Sequence, residues 1–184
     1  MGDDEPEPQP PRILSSEHPF RGNLINVRVD TVETAGGASM REVVEHRGAV
    51  LLIALDDYEN VFMVRQYRHP VGHVLLELPA GTIDEGEQPE VCAVRELREE
   101  TGFRPRSLES LGGFFLSPGY SNEYIHLFLA TGVEEAPLET GDEEDLRALR
   151  IPFDEALRLI DNGEIRDAKS IAALLLFARR RNMA

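Results

Sequence analysis

The sequence predicts an α+β sandwich, and three observations lead to that fold class. Several short segments have the alternating or continuous apolar pattern of β-strands, and three longer segments have helical periodicity with recognisable ends. Strands and helices follow one another without the regular alternation of a doubly wound sheet. The chain has 184 residues, 41% of them hydrophobic, which suits one main domain with a buried core.

The first half of the chain is predicted to consist mainly of strands. Residues 24–29 alternate apolar and polar side chains, and a turn at Gly36-Gly37 leads to a second strand at 41–45. The continuous apolar run 49–55 is typical of a strand buried on both faces. Further strands are expected at 61–66 and 75–78.

The second half is predicted to mix helices with strands. A helix is expected at 89–101, with Pro89 in its first turn and Gly102 as its C-terminal stop. Gly81, before this helix, and Gly102, after it, suit sharp backbone turns. The remaining predicted elements are strands at 108–115, 124–131 and 146–151 and helices at 154–162 and 168–181.

Composition excludes several classes of protein. The formal net charge of −15 argues against a nucleic-acid partner, because binding its phosphate backbone requires positive surface. No apolar run approaches the roughly 18 residues of a membrane helix, and residues 1–11 lack the pattern of a signal peptide. The single cysteine, Cys92, excludes an intrachain disulfide, so a reduced, cytoplasmic location is predicted. Cys92 lies on the helix predicted at 89–101, and helix packing explains it better than catalysis does.

The negative charge is concentrated in three segments. Residues 1–11, 81–103 and 133–145 carry net charges of −4, −5 and −7. The first segment is acidic and proline-rich, which predicts a solvated, disordered tail. The other two segments need separate explanations.

Three glutamates share one face of the helix predicted at 89–101. Glu96, Glu99 and Glu100 fall within an arc of roughly 100°. The opposite side is expected to pack against the core, and its residues are Val91, Val94, Leu97 and Thr101.

The crowding of these glutamates suggests a bound cation. Like charges at this spacing repel, and the last turns of a helix disfavour anions. Carboxylate oxygens without a histidine or cysteine cluster suit Mg²⁺ or Mn²⁺, and Mg²⁺ commonly shares its coordination with substrate phosphates. The alternative is a solvated acidic face partly balanced by Arg95 and Arg98.

The spacing around this helix resembles the Nudix box of the Nudix hydrolases. From Gly81, five residues precede Glu87, seven more precede Arg95-Glu96-Leu97, and Glu99-Glu100 and Gly102-Phe103 follow after one residue each. The resemblance implies a Nudix fold, an α/β/α sandwich with a mixed β-sheet, and metal-dependent hydrolysis of a nucleoside diphosphate. The metal would be Mg²⁺, with Mn²⁺ as the alternative.

The same resemblance assigns roles to individual residues. Arg95 would orient the carboxylates, and Glu87 would support that network. The implied metal ligands are the main-chain carbonyl of Ala80 and the side chains of Glu96, Glu99 and Glu100.

A second resemblance, to the ADP-ribose pyrophosphatase branch, concerns the substrate. It rests on the segments 64–68, 76–81 and 41–46 and on a proline sixteen residues after Gly102. By analogy, the residues implied to bind substrate are Arg41, Glu42, Arg68 and Pro118. Ordinary surface salt bridges are the alternative for the two arginines.

The third acidic segment resembles the branch's catalytic loop. In residues 141–145, Glu144 aligns best with the glutamate that positions or deprotonates the attacking water, and Glu143 is second. The alternative is a solvated loop. The resemblance also divides the chain into a tail (1–11), an N-terminal antiparallel strand extension that would form a homodimer (12–45) and a Nudix domain (46–184).

Together, the two resemblances imply hydrolysis of ADP-ribose to AMP and ribose 5-phosphate. One alternative is the same chemistry on another nucleoside diphosphate sugar. The other is a sensor that binds ADP-ribose without cleaving it, although binding alone does not require three crowded carboxylates.

Overall fold

The structure is a computed structural model that describes residues 8–137 and 146–183. The described residues form two compact units. The first contains the chain up to His46 together with Ser117–Asn122, and the second contains Arg47–Leu116 and the described residues from Glu123 onward. No helix within the described ranges has the length and apolar character needed to cross a membrane.

The first unit is built on a three-stranded antiparallel sheet in the order β1-β2-β3. Its strands are β1 (Ile13–Arg21), β2 (Asn26–Thr34) and β3 (Gly37–Glu45). β2 and β3 pair along their whole length, from Asn26 opposite Glu45 to Thr34 opposite Gly37. This sheet is the N-terminal antiparallel extension expected from the sequence.

The described residues of the second unit form three sheets, three α-helices and a short 3₁₀ helix at His69–Val71. A mixed four-stranded sheet has the order β7-β4-β10-β9, and β4 and β10 run parallel within it. The other sheets have the orders β12-β5-β6 and β11-β8. The strands are β4 (Ala49–Ala54), β5 (Asn60–Arg68), β6 (His73–Glu77), β7 (Ala80–Thr82), β8 (Phe103–Arg104), β9 (Ser107–Phe115), β10 (Tyr124–Thr131), β11 (Glu134–Glu135) and β12 (Arg147–Pro152). The helices are α1 (Pro89–Thr101), α2 (Phe153–Asp161) and α3 (Ala168–Arg181).

Strand β4 lies between two hydrophobic cores. Its side chains alternate, with Leu51 and Ile53 in the core shared with α2 and α3, and Val50 and Leu52 in the core shared with α1. Every residue of β4 is buried, as its continuous apolar run predicts. Helices therefore cover both faces of the central sheet, and the predicted α/β/α sandwich is confirmed.

The ends of α1 follow the signals in the sequence. Pro89 occupies the first turn, where its missing N–H removes no helical hydrogen bond. Gly102 adopts the left-handed conformation at φ 75°, and its N–H donates to the carbonyl of Arg98 at 2.9 Å. These contacts end the helix directly after its glutamates.

The packed face of α1 differs from the prediction. Val91 and Val94 are 60% and 37% exposed, whereas Cys92 and Ala93 are buried beside Leu97. Small side chains at the contact allow the helix to lie close to the sheet, so the buried stripe is set by close approach rather than by the most apolar residues. The placement of Cys92 in helix packing is confirmed.

Some elements were not expected from the sequence. β1 is exposed along its whole length and lacks an alternating apolar pattern, because it buries no face within its own unit. The short strands β7, β8 and β11 contain too few residues for periodicity to be visible. Their existence depends on pairing with partners distant in sequence.

Candidate active site

Gly81 permits the close approach of Glu96 to strand β7. A Cβ atom built on Gly81 would lie 1.8 Å from Cδ of Glu96 and 2.1 and 2.2 Å from its carboxylate oxygens. Gly81 is the middle residue of strand β7 and has no left-handed φ, so the expectation of a sharp turn at this residue was wrong. The position requires glycine because a carboxylate occupies the space of a side chain.

Arg95, on α1, is the centre of a hydrogen-bonded group of three carboxylates, two on the same helix and one just before it. Its Nε and Nη2 donate to the two oxygens of Glu87 at 2.9 and 2.8 Å. Its Nη1 donates to Glu96 at 2.6 Å and to Glu99 at 3.0 Å. The Arg95 hydrogen bonds lower the pKa of Glu87 to about 2, so this carboxylate is ionised.

Two glutamates of α1, Glu96 and Glu100, lie against strand β7. Burial raises the pKa of Glu96, and the Arg95 charge opposes that shift. Oε2 of Glu100 accepts a hydrogen bond from the N–H of Ala80 at 3.1 Å. We call Glu87, Arg95, Glu96, Glu99 and Glu100 the α1 cluster; it sets four carboxylates against one guanidinium.

The donor chemistry of the α1 cluster fits a hard divalent cation. Among residues 8–137 and 146–183, no three His, Cys, Asp or Glu side chains already converge in a metal-holding group. The four carboxylates nevertheless outnumber the one guanidinium of the cluster, that of Arg95, and they offer only oxygen ligands. The groups that could hold the ion are the carbonyl of Ala80 and the side chains of Glu96, Glu99 and Glu100.

Arg68 lies in the same unit, paired with a buried carboxylate. Its Nε and Nη2 each donate to one oxygen of Glu77 at 2.9 Å. Glu77 is 1% exposed and also accepts from Lys169. Sequence reasoning missed both partners, although a glutamate within the apolar segment of β6 is an unusual residue that could have drawn attention.

The other residues implied to bind substrate belong to the first unit. Nη1 of Arg41 donates to Oγ of Ser39 at 2.7 Å and to the carbonyl of Met40 at 2.8 Å. Glu42 is an exposed residue of β3, and Pro118 is exposed in the segment Ser117–Asn122. That segment pairs with β3, since the N–H of Val44 donates to the carbonyl of Tyr120 at 2.7 Å.

Glu143 and Glu144 lie outside the described residues, and their role stays a prediction. The described chain just before them is attached to the end of α1. The N–H of Ala136 donates to the carbonyl of Gly102 at 2.8 Å, and Nε of Arg98 donates to the carbonyl of Ala136 at 2.7 Å. Arg98 therefore binds a backbone carbonyl, in contrast to the alternative in which it balances the acidic face.

Cys92 has no feature of a catalytic thiol. Burial, followed by the nearby negative charges of Glu87 and Glu96, raises its pKa to about 12. A thiol with this pKa is protonated at neutral pH and is a poor nucleophile.

Comparison with known proteins identifies the family. A family model described as the NUDIX domain matches residues 44–174. ADP-ribose pyrophosphatases of Bacillus subtilis and Mycobacterium tuberculosis are 37% and 42% identical to this chain; they match 89% and 88% of it and 90% and 80% of their own lengths. A GDP-mannose pyrophosphatase of Cronobacter sakazakii is 36% identical, over 82% of this chain and 85% of its own.

A solved structure supports the same assignment. The crystal structure of an ADP compounds hydrolase superposes with a TM-score of 0.81 at 26% identity, and the match covers 95% of this chain and 96% of that one. The matched region contains the α1 cluster and the sheets that hold it. The chain therefore belongs to the Nudix family and is a Nudix hydrolase.

Proposed function

We propose that this protein hydrolyses the diphosphate of ADP-ribose to give AMP and ribose 5-phosphate. The observation that carries the proposal is the α1 cluster in a chain that matches two ADP-ribose pyrophosphatases along nearly its whole length. A diphosphate carries concentrated negative charge, so an unbalanced carboxylate site can bind it only together with a cation.

The proposed cofactor is Mg²⁺, with Mn²⁺ as the alternative. The carbonyl of Ala80 and the carboxylates of Glu96, Glu99 and Glu100 would hold it. When bound, such an ion neutralises phosphate oxygens and makes a water molecule more acidic. Arg95 orients the carboxylates, and Glu144, with Glu143 as second candidate, is the proposed group that accepts the proton of the attacking water.

The substrate-binding residues remain those proposed from the sequence. Guanidinium groups match phosphate and ribose oxygens, which supports Arg68 and Arg41 in this role. Glu42 and Pro118 are proposed to contribute from the first unit. Of these four, Arg68 has the firmest support, because its guanidinium is held in one orientation by Glu77.

We also propose a homodimer formed through the N-terminal extension (12–45) and a cytoplasmic location. The first unit leaves several apolar side chains exposed, which favours contact with a second copy. These residues are Ile13, Leu14, Phe20, Leu24 and Met40. Sedimentation equilibrium tests the dimer directly, and a monomer at micromolar concentration would contradict it.

A second candidate substrate is another nucleoside diphosphate sugar. The GDP-mannose pyrophosphatase at 36% identity favours this alternative. The α1 cluster is proposed to act on the diphosphate that both substrates share, so it does not distinguish between them.

A panel of nucleoside diphosphate sugars, assayed for nucleoside monophosphate release with Mg²⁺, tests the proposal. We expect ADP-ribose to give the highest kcat/KM, and Glu100→Gln to lower kcat by at least about 10²–10³-fold. Glu155→Gln, which changes an exposed helix pair, should leave activity unchanged. Faster hydrolysis of GDP-mannose would transfer the assignment to that substrate, and binding of ADP-ribose without AMP release would indicate a sensor.

A further inference from the structure

A buried group of charges joins strand β6 to the start of α3. We call Arg68, Glu77, Asp167, Lys169 and Ser170 the Glu77 cluster. Glu77 accepts both Arg68 hydrogen bonds and one from Lys169, and Nζ of Lys169 lies 2.9 Å from Oδ1 of Asp167. Two carboxylates face two cations, so the charges balance within the cluster.

The cluster continues into the backbone that precedes Gly81. Asp167 caps α3 by accepting from the N–H of Ser170 at 3.0 Å, and Oγ of Ser170 accepts from the N–H of Leu78 at 2.8 Å. The carbonyl of Pro79 accepts from the N–H of Leu52 at 2.9 Å, and the N–H of Ala80 donates to Glu100. The backbone groups of Leu78, Pro79 and Ala80 are thus hydrogen-bonded to α3, β4 and α1, respectively.

The geometry leaves one side of the Arg68 guanidinium available. Nε and Nη2 are used by Glu77, whereas no described hydrogen bond uses Nη1, and the side chain is 37% exposed. The hydrogen bonds to Glu77 raise the pKa of Arg68, and the negative charge of Glu100 adds to this rise. The guanidinium therefore interacts electrostatically with a carboxylate of the α1 cluster. An arginine already held in place loses less conformational entropy when it binds phosphate.

We propose that Glu77 is a positioning residue for the reaction. It holds the Arg68 guanidinium so that Nη1 faces the substrate diphosphate. This inference rests on the proposed function. Buried ion pairs contribute little net stability compared with apolar side chains of similar size. The cost of placing Glu77 in the core is therefore better explained by the orientation of Arg68 than by the stability of the fold.

A double-mutant cycle on Glu77 and Arg68 tests the proposal. Glu77→Gln and Arg68→Lys are each expected to raise KM by about 10–100-fold, the equivalent of one charge-assisted hydrogen bond, with kcat within about 3-fold. The double variant should show no more than about a 3-fold further rise over Arg68→Lys, because Glu77 acts through Arg68.

Lys169→Met is the matched control within the cluster. It removes a buried partner of Glu77 but leaves both Arg68 hydrogen bonds, so it should lower the melting temperature while KM stays within about 3-fold of wild type. If Glu77→Gln yields no folded protein, Glu77→Asp keeps the charge, withdraws it by one methylene and should still raise KM. Calorimetric binding of ADP-ribose with Mg²⁺, in a Glu144→Gln background in which the proposed proton acceptor is removed, supplies a readout that does not depend on turnover.

Three results would overturn the inference. These are an unchanged KM in Glu77→Gln, multiplicative effects in the double variant, or a rise in KM for Lys169→Met equal to that for Glu77→Gln. If the wild type prefers another nucleotide sugar, the proposed substrate fails, and the cycle measured with that sugar still decides the role of Glu77. A wild type that hydrolyses none of them overturns both proposals.

Discussion

The α1 cluster and the Glu77 cluster lie in the same unit and use the same chemistry for different ends. The α1 cluster sets four carboxylates against one arginine and lies partly open to solvent, with the Glu99 side chain 36% exposed. The Glu77 cluster balances its charges, and its central carboxylate is 1% exposed. Both are organised around an arginine that holds a carboxylate with two parallel hydrogen bonds.

The difference teaches how charge balance separates a binding site from its support. An unbalanced cluster is stabilised when a cation or a cationic complex binds, so it is suited to a ligand. A balanced, buried cluster needs no ligand to neutralise its charges, and removing one partner destabilises the protein strongly. Variants of the α1 cluster should therefore act mainly on activity, whereas Glu77→Gln should lower stability in addition to raising KM.

Gly81→Ala should have the largest effect on activity. The new methyl group would occupy the position of the Glu96 carboxylate and displace it by an ångström or more. We expect kcat to fall by about 10²-fold or more, since misplacement on this scale is known to cost that much. Steady-state kinetics with circular dichroism would measure this. Gly36→Ala is the control, because its Cβ would meet only Oγ1 of Thr34, at an ordinary contact distance of 3.9 Å. Retained activity would show that Glu96 need not lie against β7.

Stability should depend much more strongly on the Glu77 cluster than on the α1 cluster. Glu77→Gln leaves Arg68 and Lys169 without their shared carboxylate, and should cost about 3 kcal/mol of unfolding free energy, or about 6–12 °C in Tm. Glu99→Gln should change stability by less than about 0.5 kcal/mol, because Arg95 keeps Glu87 and Glu96. Chemical denaturation of both variants measures the contrast, and equal losses would refute it.

The smallest expected effect is the pH dependence of Glu77. Burial alone would raise its pKa, but the Arg68 hydrogen bonds and the Lys169 charge outweigh burial and hold it below the ordinary 4.5. A lowered pKa in the folded state contributes stability above the unfolded value, and that stability is lost as pH falls through the folded value. The difference in Tm between wild type and Glu77→Gln should be constant above about pH 5.5 and shrink below about pH 4.5. A difference that is unchanged at lower pH would contradict the shift.

Much of the fold could be predicted because its signals are local. Pro89 and Gly102 mark the ends of α1, and the apolar run of β4 marks a strand between two layers. Strand β1 could not be predicted, because its residues are exposed and only pairing with β2 makes it a strand. Val91 was placed on the packed face of α1 because of its apolar side chain, whereas close contact with the sheet favoured Cys92 and Ala93.

The candidate site divides in the same way. The contact of Arg95 with Glu99 follows from their spacing of four residues on one helix. The reason for Gly81 is a carboxylate fifteen residues further along the chain, and no local pattern contains that information. Glu77 and Lys169 are separated by 92 residues, so their pairing exists only because β6 and the start of α3 are neighbours.

The sequence by itself indicated the class of reaction, because the spacing from Gly81 to Phe103 resembles the Nudix box. The same spacing places Glu96, Glu99 and Glu100 on one face of a helix. Only the tertiary structure decided which charges are neutralised by their neighbours and which remain in excess. Burial and long-range pairing cause that difference, because the free energy of a charged group depends on the solvent it loses and the partners it meets. Glu77 and Glu96 are both glutamates in a helix or strand, yet Glu77 is paired with two cations, whereas Glu96 shares one arginine with two other carboxylates.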